Sequence, residues 1–356
     1  MSPFQYRELG RLIKERRGDK LTLAVPLPTS PKGMNNLRCP SDACQPRVFQ
    51  LGGGAQAPGE IDPRCRRAPG QPLATCPYCG HDDDQEAFFH PDDIEAMKQQ
   101  VLWAASTDVA HAFEEMARGF NRRTRNQFFS VTMKVKGSNS PRPFFHREDL
   151  LRDLTCDVCQ RRYGVYAIGL FCPDCGAANL HVHFARETAL VAQQIEVAQA
   201  IESEFGSELS YRILGNAHED VVTALETYLK TAYRFLVRKR YGAAEALQFC
   251  SKKAIQNSFQ NIERGERLFR QRLNIELFAH LEPSARERLH VNLEKRHLIG
   301  HNLGLVDEAY AQSVGAEAVG SNVPLVAEEV KAFAELASSV VARLENQAEF
   351  QPPAAN

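Results

Sequence analysis

The sequence predicts a multidomain chain: two small, β-rich, cysteine-held modules followed by a mainly α antiparallel helical bundle. Three observations predict it. Eight of the ten cysteines fall into pairs before residue 176, a helical period takes over at Ala185 and persists, and 356 residues suffice for two or three domains. Hydrophobic content of 43% with 24% charged residues is that of a globular protein. No run approaches the ~18 apolar residues of a membrane helix, and the start, MSPFQYRELGRLIKERRGDK, is too polar for a signal peptide. A cytoplasmic location and no membrane partner are expected.

Residues 1–36 read as a short helix, with Phe4, Leu9, Leu12 and Ile13 loosely periodic, and then a strand-like run from Leu21 to Leu27. Residues 37–90 form a first cysteine module, Cys39-x4-Cys44 and Cys76-Pro77-Tyr78-Cys79-Gly80, separated by a Gly-, Pro- and Arg-rich insertion. The insertion carries Gly52-Gly53-Gly54 without a following Gly-Lys-Ser/Thr, so it reads as a linker and not as a phosphate cradle. Within residues 91–153, Pro91, Asp92, Asp93 and Glu95 suit a helix N-terminus, Gly119 suits its stop, and Phe128 to Val135 alternates as a strand.

Residues 154–184 hold the most specific motif. Cys156-x2-Cys159 and Cys172-x2-Cys175-Gly176 are separated by twelve residues. Two such pairs bring four thiolates to one tetrahedral ion, and the trailing glycine relieves the tight turn. Zinc is expected, ahead of disulfides or iron. The shared Cys-Pro-x-Cys-Gly makes Cys39, Cys44, Cys76 and Cys79 a divergent copy, in which Cys65 could replace one ligand. Both modules resemble zinc ribbons, so two structural zinc ions are expected. Four thiolates leave no open coordination position, so recognition or scaffolding is the expected role. Cys250 reads as a small buried hydrophobe, and His81 and His90 as surface or packing residues.

Residues 185–346 read as the bundle. One stripe (Leu190, Ile195, Ala198, Ile201) ends near Gly206, and another (Val221 to Leu236) ends near Gly242. Runs follow over 243–259 and 262–278, Pro283 opens the next helix, and Pro324 opens the last. Short connections imply antiparallel neighbours. Residues 347–356 read as a frayed tail. Residues 230–272 hold eleven Lys or Arg against three Glu, a patch able to follow a phosphate backbone although the whole chain carries a net charge of -1.

The stretch LHVNLEKRHLIGHNLG, Leu289 to Gly304, places Arg296, His297, His301 and Asn302 in a helical pattern. Imidazole moves protons near neutral pH, and guanidinium matches phosphate oxygens bidentately. Five residues of ideal helix turn through about 500°, leaving Arg296 and His301 roughly 140° apart. Either the helix ends or bends between them, or a second copy completes the site.

Arg296-His297-x3-His301-Asn302, followed by Gly304 and Asp307-Glu308-x-Tyr310, resembles the Arg-x4-His motif of HEPN domains over roughly the last 140 residues. The resemblance implies a HEPN-like helical bundle, a homodimer through it, and metal-independent cleavage of RNA, tRNA or another structured RNA included. His301 would move the proton, Arg296 would bind the scissile phosphate, Asn302 would position either, and His297 would be an auxiliary contact. Glu226, a polar position in an apolar stripe, would orient Arg296. Some members carry a tyrosine two residues after the histidine. Leu303 stands there, so regulation by modification of that tyrosine is not implied. The rival reading is a non-catalytic module in which the bundle dimerises and the ribbons hold nucleic acid or a protein partner.

Overall fold

A computed structural model describes residues 6–18, 20–53, 61–124, 148–302, 304–315, 318–346 and 350. The sequence-predicted strand over 128–135 and nearly all of the tail lie outside the described residues.

Among the described residues, the helix expected near the start is reduced to a single 3-10 turn. A short 3-10 turn at Leu9–Leu12 leads into β1 (Ile13–Arg17), which pairs antiparallel with β2 (Lys20–Leu23). Charged residues at nearly every β1 position defeat an apolar helical face, and Gly18 at φ 59° makes the turn. Next come β3 (Met34–Arg38), β4 (Val48–Gly52), β5 (Leu73–Thr75), β6 (Asp82–Asp84) and the long helix α1 (Pro91–Thr124). α1 runs through Gly119, the expected stop. Its buried Asp108 accepts the backbone N–H groups of Arg7, Glu8 and Leu9 at 2.9–3.1 Å, capping the 3-10 turn across a hundred residues.

β7 (Arg152–Thr155) and β8 (Arg162–Val165) belong to the second cysteine module, yet they complete one four-stranded antiparallel sheet in the order β3-β4-β8-β7. The two expected modules therefore share a sheet and a core. Phe49 and Leu51 of β4 stand opposite Val165 and Tyr163 of β8, and Leu37, Phe88 and Leu154 pack with them. Gly164 lies mid-sheet, where a Cβ would stand 2.8 Å from the Leu151 side chain. The insertion also crosses over. Arg66 and Arg67 donate backbone N–H groups to the Cys175 carbonyl at 2.9 and 3.3 Å, and the Arg66 guanidinium covers the Phe171 ring at 4.1 Å.

The remainder is helical: α2 (Leu180–Phe205), α3 (Ser207–Phe249), α4 (Lys252–Ile255), α5 (Ile262–Leu273), α6 (Pro283–His301), α7 (Glu308–Val314) and α8 (Ala327–Glu345). Gly206 alone, at φ 88°, separates α2 from α3, which return antiparallel: Phe184 meets Tyr228, and Gln194 meets Asp220. Gly242 breaks the helical dihedrals as its sequence position predicts, but the helix resumes to Phe249. The run expected over 243–259 is divided by Ser251, which caps α4. Phe350, placed in the expected frayed tail, is buried against Phe235.

Three polar contacts fix the bundle's register. His218 of α3 stacks on Phe333 of α8 and bonds Asn292 of α6 at 3.1 Å. Lys295 of α6, 3% exposed, donates to Glu329 at 2.5 Å and to the Pro324 carbonyl at 3.0 Å. His181 at the start of α2 donates its backbone N–H to Glu345 at 2.6 Å, and its ring lies 2.8 Å from the same carboxylate.

Two consequences are measurable. Gly164→Val should lower stability by about 1–3 kcal/mol through overpacking against Leu151, read as a lower denaturation midpoint in urea. Burial pushes His218 down to about 4 and His183 down to about 3. Both histidines are neutral in the folded chain, while the unfolded chain takes up protons below about pH 6.5. Stability should therefore fall as pH drops from 6.5 towards 4. The Glu345 carboxylate raises His181 and opposes this, adding stability below pH 6.5 that is lost as pH rises through its folded value. His218→Leu should flatten the acid limb of the thermal midpoint plotted against pH; an unchanged slope would refute the assignment.

Candidate metal centres and the helix-end site

Each expected cysteine quartet is assembled. Cys39, Cys44, Cys76 and Cys79 lie with all four sulfurs within 4.8 Å of one another, as do Cys156, Cys159, Cys172 and Cys175. The Sγ pairs 39–79, 44–76, 156–175 and 159–172 are 3.8, 3.6, 3.9 and 3.6 Å apart. Four sulfurs at about 2.3 Å from one tetrahedral ion stand about 3.8 Å from each other, so both quartets fit zinc in size and donor chemistry. Among the described residues no other cluster of three or more metal-capable side chains occurs.

Local backbone explains why these spacings work. In three of the four knuckles the first cysteine's carbonyl accepts from the residue four later: Gly80 onto Cys76 and Gly176 onto Cys172 at 3.0 Å, and Gln160 onto Cys156 at 2.9 Å. Each of those donors has φ between 57° and 73°. Glycine meets that requirement without strain, and Gln160 meets it at some cost. Within each quartet the thiols share protons. Cys79 and Cys156 are driven well below the usual thiol range by hydrogen bonds from Cys39 and Cys159 respectively. Cys175 is driven up by its bond with Cys156, and Cys172 by burial. A divalent ion held by either quartet would replace this sharing and stabilise all four as thiolates.

Cys65 is not a ligand of the first quartet. The insertion carries it to the second, where it hydrogen-bonds Cys175 and burial raises its thiol. His90 is buried and accepts the Asp92 N–H, and Cys250 is half-buried at the edge of the bundle core; both fit the packing roles expected of them. The acidic β6 is partly neutralised, because Arg67 and Arg66 reach Asp82 at 3.0 and 3.7 Å.

The helix-end motif is less completely assembled. α6 is unbroken from Pro283 to His301, so no bend brings Arg296 and His301 onto one face. Arg296 is half-buried, with no hydrogen bond or ion pair among the described residues, and His297 is exposed. The side chain of His301 and all of Leu303 lie outside the described residues. Asn302 ends the helix: its N–H meets the Leu298 carbonyl at 2.9 Å, and its amide donates to the Leu305 carbonyl at 2.7 Å. Gly304, at φ 78°, follows as the expected cap, donates to the same Leu298 carbonyl, and leaves room for the Tyr211 hydroxyl.

Glu226 does not orient Arg296. Its carboxylate accepts from Lys230 and, at 2.6 Å, from Gln260. It also lies eight residues, about 12 Å, beyond His218, where α3 meets Asn292. The acid beside the motif is Glu219, whose Oε1 lies 2.5 Å from where a Cβ on Gly300 would stand. With Asn216, Tyr211, Gly215, Ile299 and Gly300 it lines an open cavity of about 790 Å³, and Arg296 stands one turn before Gly300 on the same strip of α6. Periodicity could not single out Glu219, because the offset of α3 against α6 is set by packing.

Comparison with known protein families, curated proteins and solved structures found no match to this chain.

The shared sheet makes a prediction about the metals. Cys172→Ser should reduce bound zinc below two ions per chain and, by loosening the insertion held on Cys175, expose residues 61–84 of the first module to limited proteolysis. Unchanged protection there would show that the modules fold separately.

Proposed function

We propose that the chain is an endoribonuclease that needs no catalytic metal and whose site is completed by a second copy of the chain. The supporting observation is the unbroken α6. One straight helix turns Arg296 and His301 to different faces, whereas pairing two copies at this helix end offers two arginines and two histidines to one cleft. The zinc ions serve structure, since all four positions of each are thiolates. In this reading, the imidazole of His301 takes the proton from a ribose 2'-hydroxyl as it attacks the adjacent phosphate. The phosphorus–oxygen bond to the next nucleotide breaks, its 5'-oxygen takes a proton from water and departs as a hydroxyl, and a 2',3'-cyclic phosphate remains. Arg296 binds the phosphate and stabilises its growing charge, and His297 is an outer contact. The bundle is HEPN-like in this account, and Asn302 holds the helix end that carries His301.

A second reading, a non-catalytic assembly module built of zinc ribbons and bundle, is favoured by one observation. Asn302 and Glu226 both have structural partners that account for them.

Total tRNA and a mixed RNA pool, incubated with the wild type, His301→Ala and Arg296→Ala in EDTA beside zinc-replete samples, decide between the two. The proposal expects cyclic phosphate ends from the wild type and a loss of about 100-fold or more in each variant. Equal cleavage by His301→Ala, or a dimer whose assembly alone changes, sinks the nuclease.

A further inference from the structure

Helix α1 runs for 34 residues and is held to the N-terminal turn along one side. Ala104 and Asp108 are buried there, Asp108 caps the turn at Leu9–Leu12, and Glu115 meets Arg7 at 2.9 Å. About 120° around the axis from Asp108 stand Leu102, Val109, Phe113 and Met116, which are 68%, 44%, 49% and 59% exposed.

At 100° per residue these four fall within about 60° of one another. Their spacing, i, i+7, i+11 and i+14, is that of the two apolar seam positions of a heptad repeat. Large apolar residues exposed singly need no explanation, but four on one narrow stripe mark a contact surface. Helices in proteins draw most of their stability from burying such a face, so the stripe calls for a cover.

Charge selects what covers it. Residues 91–118 hold six Asp or Glu against Lys98 and Arg118, a balance that repels anionic lipid and nucleic acid alike. The two ends of the helix differ in sign. Residues 91–97 contain Asp92, Asp93 and Glu95 with no base, and residues 118–124 contain Arg118, Arg122 and Arg123 with no acid. A second α1 running antiparallel sets each acidic end against a basic one and opposes the two helix dipoles. Laid parallel, like ends would meet.

Register agrees with charge. Aligning residues 91–97 with residues 118–124 of a second copy also sets Leu102 opposite Phe113 of that copy, on both sides of a two-fold axis, with the two Val109 side chains between. Such a pair is self-complementary, as a two-fold interface requires.

We infer that α1 is a docking surface for a second copy of the chain, paired antiparallel along Leu102, Val109, Phe113 and Met116. The inference stands apart from Arg296 and His301 and from the pairing proposed at the end of α6.

The test is sedimentation and disulfide cross-linking of the zinc-replete full chain. The wild type should sediment above the mass of one chain. Val109→Asp, at an exposed position that leaves the fold intact by circular dichroism, should lower that mass and weaken association about tenfold or more. The double variant Leu102→Cys with Phe113→Cys, oxidised with glutathione disulfide, should form linked pairs of chains above the wild-type background, while neither single variant does. In a parallel pair either single variant would suffice. A wild type that sediments as a monomer, a mass unchanged by Val109→Asp, or a single variant that links as readily as the double would each overturn the inference.

Discussion

Eight sulfur atoms in two tetrahedral quartets are the constraint on which the N-terminal half depends. The sheet they surround is short, with strands of four or five residues, and short strands without a broad core are marginal in water. Thiolate–metal bonds at the two quartets would supply what packing does not. Because β4 of one module pairs with β8 of the other, and the insertion of the first lies on the knuckle of the second, each quartet also holds its neighbour's backbone. The gain is rigidity in a region too small to be rigid by burial alone.

The helical half is held differently. Its apolar core is continuous from Phe171, at the metal modules, to Leu344. Apolar packing fixes helices loosely in register, because one Leu replaces another at modest cost. Directional groups remove that freedom: His218 with Asn292, Lys295 with Glu329, and His181 with Glu345 each join helices far apart in sequence. Lys295 directly precedes Arg296, so the ion pair that locks α6 also fixes the angle at which the proposed phosphate-binding arginine leaves the helix. The helix cap at Asn302 and Gly304 sets where α6 stops. The motif therefore sits between a buried lock and a cap, on a helix with little freedom to reorient within one chain.

What the sequence made legible was local. Cys-x2-Cys-Gly spacing identified the knuckles because their geometry is complete within five residues, and Gly206, Gly242 and Pro283 marked helix breaks because their backbone preferences need no partner. Long-range pairing was not legible. Nothing within β4 or β8 announces that the two pair, and Cys65 could be assigned to the wrong quartet because loops are placed by what they land on. Glu226 shows the same limit: an acid in an apolar stripe is visible, but its distance from Arg296 follows from the offset of α3 against α6.

If two closed four-sulfur centres organise the N-terminal half, zinc-edge X-ray absorption on the purified protein, with metal counted per chain, will find two zinc ions, each with four sulfur ligands at about 2.3 Å and no nitrogen or oxygen neighbour. A folded chain with fewer than two ions, or with an oxygen or nitrogen ligand in either site, would contradict it.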